Sequence, residues 1–333
     1  MITPSYGLTA TERVLPRLAL DFTTAILDSR VTFTRSGDTA TVTNSSGVIA
    51  AINANLPRFD FDPTTLVCKG LLIEEARTNS LLNSLLDGTD LATQTVVVTA
   101  AARTLSFYGN GTIVLSGAHS ATVNGAGAYP ARTTLTFTPS VGALILTVTG
   151  TVQFAQLESG AFATSFIPTE ATTVTRNADV ATMTGTNFSS WYNASEGAFV
   201  VNAQTARQVA IAATGIVGIN NGSITEQINC FFRGVGSTGA NIFSSSASQM
   251  DQAPTGVVSA NTLIKLGVAY KLNDAVSYGQ GTAQATDTSV TVPTVSQLQF
   301  GVIQAGQYLN GWIQKFNYWP QRILNAEGQA FSK

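Results

Sequence analysis

Few side chains in this 333-residue sequence have the types and spacing that chemistry needs, and each also has a plainer reading. The one histidine, His119, stands in Ser116-Gly117-Ala118-His119-Ser120. A single imidazole cannot build a His-rich zinc site, and no Gly-x-Ser-x-Gly elbow provides it with a nucleophile. A surface or packing role is the preferred reading. Gly234-Val235-Gly236-Ser237-Thr238-Gly239 matches G-x-G-x-x-G. A dinucleotide site needs a helix directly after that motif, so that the helix N-terminus faces the pyrophosphate. Ala240 to Ser246 does not read as an amphipathic helix, so a β loop is preferred. Two carboxylates suffice to cleave a polysaccharide. Asp60 with Asp62, Glu74 with Glu75, Glu158 and Glu196 are the candidates. Asp60 and Asp62 are expected to share a strand face, and Glu74, Glu75 and Arg77 to form an ion-paired cluster at a core edge. No context marks one member of a pair for a raised pKa, so no catalytic residue is assigned and the expected protein is not an enzyme.

The aromatic residues are the better handle. An exposed Trp or Tyr offers a flat apolar face to a sugar ring, while neighbouring polar groups meet the hydroxyls. Trp191, Tyr192, Trp312 and Trp319 are the candidate carbohydrate-binding residues, with Tyr318 beside them. The plainer reading packs these rings in a core, as expected for Phe316 and Tyr318 on one strand face. No metal ligand is assigned. Calcium is conceivable, but no loop carries the dense Asp/Asn spacing of an EF-hand. No cofactor is expected. Cys68 and Cys230 lie in unrelated contexts and read as two buried thiols rather than a long-range disulfide.

The elements that must carry these residues read almost entirely as strands and turns. Val31 and Phe33 alternate with Thr32 and Thr34, the period of a half-buried strand. Phe59 and Phe61 alternate with Arg58, Asp60 and Asp62, which places the two rings on one side of the strand. Leu105 to Tyr108, Asn110-Gly111 and Thr112 to Leu115 read as a hairpin on a type I′ turn. Asn124-Gly125 and Asn221-Gly222 mark further turns. Thr78 to Leu86 is expected to form one or two helical turns. Strands are also expected at Val209 to Ala213, Ile228 to Phe232, Thr262 to Tyr270, Ser289 to Val292, Leu298 to Val302 and Trp312 to Tyr318. A short helix closes the chain at Asn325 to Phe331, with Asn325 as its N-cap. The expected fold class is all-β: two antiparallel β-sandwiches of jelly-roll or lectin type with an extended N-terminal arm. The expected division is an arm at 1–19, one sandwich at 20–170 and a second at 171–333.

Composition narrows the function classes. Hydrophobic residues make up 44%, enough for a sizeable core, and charged residues only 11%, against about 25% in ordinary soluble chains. Seventeen Lys and Arg against nineteen Asp and Glu give a net charge of -2. A nucleic-acid binder carries a basic surface, and a disordered chain carries high net charge, so neither class fits. The N-terminus lacks the basic, apolar and small-residue pattern of a secretory signal. No apolar run approaches the roughly 20 residues of a membrane span, so no membrane insertion is expected.

Several segments resemble one family. Leu20-Asp21-Phe22, then Val31-Thr32-Phe33-Thr34-Arg35, Pro57-Arg58-Phe59-Asp60-Phe61-Asp62-Pro63 and Gly70-Leu71-Leu72-Ile73-Glu74-Glu75-Ala76-Arg77-Thr78-Asn79 are similar to a segment of many tailed-bacteriophage virion proteins. The hairpin at Thr104 to Gly111 and the closing strand at Ala155 to Thr169 continue the likeness. Gly311 to Asn325 resembles the last strand of a concanavalin-A-like or laminin-G-like sandwich. The resemblance spans roughly residues 20–200 and the tail from about 311. It implies carbohydrate-binding-module-like and lectin-like domains on a virion, without a catalytic site. The implied partners are other virion proteins (capsid, portal or tail) and a host cell-surface polysaccharide. A homo-oligomer is expected, a trimer by analogy with phage appendages, located on the virion. The runner-up role is a capsid decoration or cement protein, and a polysaccharide depolymerase comes third.

Overall fold

A computed structural model describes residues 15–37, 40–206, 213–234, 236–304 and 306–333. The period of two becomes strand nearly everywhere in it. In Gly142–Thr149, Leu144 and Leu146 are fully buried while Ile145 between them faces out. The chain is all-β with antiparallel sheets, as the alternation predicts.

The sheets divide the chain differently from the expected boundary at residue 170. An eight-stranded sheet runs in the order Thr282–Ala283, Asp274–Gly279, Ile264–Lys271, Glu196–Thr205, Gly311–Trp319, Cys68–Ile73 and Phe59–Phe61, with Leu18–Asp21 also paired to Gly311–Trp319. A seven-stranded sheet faces it, in the order Thr32–Thr34, Val180–Thr184, Gln297–Phe300, Thr214–Asn220, Gln227–Phe232, Thr238–Ser244 and Ala247–Gln252. Segments from both ends of the chain therefore build one large sandwich around a single core that includes Leu18, Phe33, Leu71, Phe199, Ile228, Phe300 and Phe316. The second sandwich is inserted between its strands. It stacks a four-stranded sheet (Ala121–Asn124, Thr112–Gly117, Gly142–Thr149, Gln94–Val98) on a three-stranded one (Thr133–Phe137, Arg103–Tyr108, Gln153–Ser159), around Leu105, Phe107, Ile113, Leu144 and Leu157. Residues 18–79 belong with the second half of the chain because Leu18–Asp21 and Cys68–Ile73 both pair with the C-terminal strand, at Lys315 to Tyr318 and at Gly311 to Ile313. Of the expected arm, residues 1–14 lie outside the described residues, and Leu18 and Ala19 are sheet residues.

Several local expectations change for physical reasons. Asn110-Gly111 does not close a hairpin. Arg103–Tyr108 and Thr112–Gly117 lie in different sheets of the insert, so this segment crosses between them. Glycine is needed there because a Cβ on Gly111 would sit 2.6 Å from the carbonyl oxygens of Thr149 and Thr151. Thr78 to Leu86 holds no helix; Arg77–Asn79 is a strand paired with Val174–Arg176. Ser289 to Val292 joins no strand ladder, although Val290 is buried in the main core. The strand expected at Val209 to Ala213 lies almost wholly outside the described residues. The final helix, Asn325–Phe331, is capped at Leu324, whose N–H donates to Glu327 Oε2 at 2.8 Å. It covers a satellite cluster of Val200, Val276, Tyr278, Trp319 and Ile323 on the outer face of the large sheet.

Buried charge ties the two sandwiches together. Arg58, fully buried, donates to Asp179 and reaches Glu74 Oε2 at 2.7 Å. Arg176 meets the same Glu74 oxygen at 3.0 Å, and Arg35 meets Asp179 Oδ1 at 3.3 Å. Ser165, on the segment leaving the insert, donates its N–H and its hydroxyl to Glu74 at 2.8 and 2.7 Å. Burial alone would raise the Glu74 carboxyl, but Arg176 and Arg58 outweigh it and hold the group at about 2. The expected ion pair of Glu75 with Arg77 is present at 2.6 Å beside this network.

Candidate functional site

Where the insert meets the large sandwich, a cleft of about 230 Å³ opens. The large sandwich contributes Asp60, Lys69 and Trp312, and the insert contributes Tyr108, Tyr129 and Arg132. Asp60 sits on the edge strand Phe59–Phe61, opposite Gly70 of Cys68–Ile73. Gly70 has a φ of +111°, and a Cβ on it would meet the Ile313 carbonyl oxygen at 2.3 Å. Only glycine permits this close passage of two strands. A bulge follows Asp60, and both sides of the strand are covered: Arg58 and Asp60 are buried among polar partners, while Phe59 is half-buried against the main core. Asp62 follows the strand and closes a surface turn, accepting from the N–H groups of Thr64 and Thr65 at 3.0 and 2.7 Å, so the two aspartates do different work.

Asp60 is well held. It accepts from Trp312 Nε1 at 3.0 Å and from the Thr43 N–H at 2.8 Å, and Lys69 Nζ stands 3.5 Å away. Burial raises its pKa, and Lys69 opposes the rise only in part. Burial likewise pulls the Lys69 ammonium down, with Asp60 opposing. Lys69 Nζ lies 3.2 Å above the centre of the Trp312 ring, a cation–π contact. From the insert, the Tyr129 hydroxyl shares a 3.0 Å hydrogen bond with Thr43 Oγ1, and its ring meets Tyr108 edge-on at 5.1 Å. Arg132 donates to the Thr164 carbonyl and to Ser106 Oγ, both at 2.8 Å, which fixes its guanidinium at the cleft wall. Donors, an acceptor and aromatic edges thus converge on a small space from both sandwiches. That combination suits a polyhydroxylated ligand.

Glu74 also lines the cleft, so one raised and one lowered carboxyl share it. Diverging values of this kind mark acid–base pairs in glycosidases. Here, however, both Glu74 oxygens are taken by Ser165, Arg58 and Arg176, which leaves the group occupied in structure rather than presented to a ligand. Glu158 is buried and bound to Gln156 and Thr164, and Glu196 accepts from the Arg322 N–H at 2.9 Å. Among the described residues, no group of three or more His, Cys, Asp or Glu is arranged to hold a metal ion.

The four aromatic candidates are not brought together, and none is an open platform. Trp191 is 1% exposed, packs on Phe188 and Tyr318 at 5.0 and 4.8 Å, and donates its indole N–H to Asn187 O. Tyr192 is half-buried and stacks on Phe188 at 4.7 Å. Trp319 lies flat against Phe331 at 4.6 Å, under the terminal helix. Trp312 alone lines the cleft, but Lys69 covers its face and Asp60 takes its N–H. A register shift between Asn202 and Ala203, opposite the stretch from Ile313 to Lys315, explains the split. It changes the parity of Gly311–Trp319, so Ile313, Phe316 and Tyr318 all enter the core while Trp312 falls outside it. Lys69, Tyr108, Tyr129 and Arg132 were not legible as site residues, because they stand far apart in sequence and carry no local motif.

The other expected features settle as packing. His119 stacks on Phe137 at 4.4 Å. The G-x-G-x-x-G segment leads into the strand Thr238–Ser244, not a helix. Cys68 and Cys230 are buried thiols, and burial pushes both pKa values up. No helix of the described residues is long and apolar enough to cross a membrane.

No protein-family model and no curated protein matches the chain. Among solved structures, it is similar to the Ruminococcus gnavus IT-sialidase CBM40, with 12% identity and a TM-score of 0.35 over 42% of this chain and 84% of that one. It is also similar to a mutant NanB sialidase from Streptococcus pneumoniae, at 13% identity and a TM-score of 0.36 over 46% of this chain and 26% of that one. A structure titled only as a receptor binding domain gives 10% identity and a TM-score of 0.37, over 46% of this chain and 39% of that one. Likenesses this shallow carry no argument about function, which has to come from the cleft's own chemistry.

Proposed function

We propose that this chain is a lectin-like adhesion protein of a tailed-bacteriophage virion, a short spike, fibre tip or knob that holds a host-surface glycan in the junction cleft. One observation carries the binding half: Asp60, Lys69, Tyr108, Tyr129 and Arg132 converge from two sandwiches on about 230 Å³. A space of that size suits one sugar ring rather than the roughly 300–1,000 Å³ of a drug-sized ligand. Asp60 accepts hydroxyl hydrogen bonds, and Lys69 and the tyrosine hydroxyls donate them. The engagement of both Glu74 oxygens favours holding a sugar over cleaving it. The virion half rests on the resemblance of residues 20–200 to phage appendage proteins. Weak single-site affinity then becomes firm adhesion through the many copies a virion displays.

The test is retardation of the full-length protein in gels containing host-surface polysaccharide, for wild type and for Lys69→Met, Tyr129→Phe and Asp60→Asn. Wild type should be retarded and each variant less so; thermal melts check that each variant is folded at the assay temperature, with a lower midpoint expected for Asp60→Asn because that carboxylate is buried against Trp312 and Lys69. Equal retardation of all four proteins would remove the cleft from the account. Release of new reducing ends from the polysaccharide would replace adhesion by depolymerisation. Immuno-gold labelling of particles separates the roles: labelling at the tail supports adhesion, whereas labelling over the whole head supports capsid decoration.

A further inference from the structure

The seven-stranded sheet has a second face, and it is built of amides. On Gln227–Phe232, Ile228, Cys230 and Phe232 enter the main core, which turns Gln227, Asn229 and Phe231 to the other side. The ladder places Gly218, Asn229, Asn241 and Asp251 side by side across four strands, with Gln299 beyond Gly218. One step along, Gln297, Asn220, Gln227 and Phe243 form a parallel row. The amides bond to one another: Asn229 Nδ2 donates to Asn241 Oδ1 at 3.0 Å, Asn220 Nδ2 to Gln299 Oε1 at 2.9 Å, and Gln297 Nε2 to Asn220 Oδ1 at 2.7 Å.

A pocket of about 330 Å³ lies on this face, bounded by Gln227, Asn229, Asn241, Phe231, Phe243 and the loop residue Gln304. None of its lining residues carries a charge. Asn229 is 1% exposed, lines the pocket, and has an Oδ1 with no hydrogen-bond partner among the described residues. That oxygen packs over Gly218, where a Cβ would stand 2.9 Å from it, so the groups within a ligand's reach are those next to Asn229. Beside it, Asn241 and Phe243 are half-buried, which leaves an amide and a ring edge open to the pocket.

We infer that this pocket is a second glycan subsite, selective for uncharged sugars. Amides both donate to and accept from hydroxyls, and the Phe rings meet the apolar C–H face of a pyranose. No charged residue lines the pocket, and the nearby Arg233, over the Phe231 ring, is paired with Asp251, which leaves an anionic sugar no unpaired cation there. The inference rests on the glycan-binding role proposed above, but not on the junction cleft, since the two sites share no residue.

Affinity electrophoresis of the full-length protein in gels containing dextran, amylose or galactomannan tests it, with alginate as the anionic comparison. Asn241→Ala and Phe243→Ala probe the amide face, and Asp60→Asn probes the cleft. Asn229→Ala is avoided as the main variant because its burial risks the fold; thermal melts check the other three. At least one uncharged polymer should retard wild type, and Asp60→Asn should keep a measurable part of that retardation. Asn241→Ala and Phe243→Ala should each weaken that retardation about tenfold, and alginate retardation should not respond to either. If Asp60→Asn abolishes retardation by uncharged polymers while the amide-face variants keep it, the cleft reading stands and this subsite falls. If no uncharged polymer retards wild type, this subsite falls, while the cleft stands or falls with the host-surface polysaccharide gels.

Discussion

Glu74→Gln should weaken the fold by about 3 kcal/mol at neutral pH, and the loss should fade in acid. The Glu74 carboxyl is buried and held at about 2 against an ordinary 4.5. Each pH unit of difference is worth about 1.4 kcal/mol, so the ionised group contributes roughly 3 kcal/mol. The folded pKa is depressed. The contribution is therefore fully present above about pH 4.5, falls to about half by roughly pH 3, and is nearly gone near pH 2. Glutamine keeps the shape and can still accept from Ser165, but it leaves Arg58 leaning on Asp179 alone and Arg176 without its carboxylate. Breaking a buried pair on one side costs about 3–5 kcal/mol, in agreement with the titration argument. Urea midpoints at about pH 7, 5, 4 and 3, followed by the fluorescence of the three tryptophans, give the comparison. A loss below about 1 kcal/mol at pH 7, or a gap between wild type and variant that does not narrow on acidification, refutes the view that this network fastens the insert to the large sandwich.

Trp191→Ala should cost about 3–5 kcal/mol by opening a cavity between Phe188 and Tyr318, and thermal melts read it as lost stability rather than a selective loss of glycan binding. Phe331→Ala uncovers Trp319, so its emission should shift to the red and become open to acrylamide, with about 1–2 kcal/mol lost because Phe331 is only partly buried. Gly70→Ala should cost more than about 3 kcal/mol, since its Cβ would collide with the Ile313 backbone and its φ is positive; limited proteolysis at the edge strand Phe59–Phe61 reports it. Both thiols should stay unreactive to a water-soluble disulfide reagent in the native protein and react together on unfolding, because Cys68 and Cys230 are buried with raised pKa values.

Strand existence was the most legible layer. The alternation of Val31 and Phe33 with Thr32 and Thr34 needs no tertiary information, because a two-residue period has one way to bury an apolar face. The alternation could still mislead about depth of burial. At Phe59-Asp60-Phe61 the polar side is the more deeply buried, because Arg58 and Asp60 find partners in Asp179, Glu74, Trp312 and Thr43, all remote in sequence, while Phe59 is half-buried on the main core. Asn110-Gly111 misled in the same way. The dipeptide permits a tight turn, but whether its flanking strands pair or part is set by which sheet each joins. Asp60 was visible among the carboxylate candidates, while Lys69, Tyr129 and Arg132 carried no signal.

By itself, the sequence determined that this chain forms antiparallel strands, that it carries few charged residues with a net charge of -2, and that no local motif marks a catalytic centre. Local periodicity and composition suffice for those statements. Only the tertiary structure decided that one sandwich is inserted in another, that Trp312 is spent on Lys69 and Asp60, and that two separate faces collect hydrogen-bonding groups. The reason is distance along the chain. Leu18 pairs with Tyr318 and Asp60 with the Trp312 indole, and contacts between such remote residues are fixed by the summed burial of two cores, which no stretch of sequence carries alone.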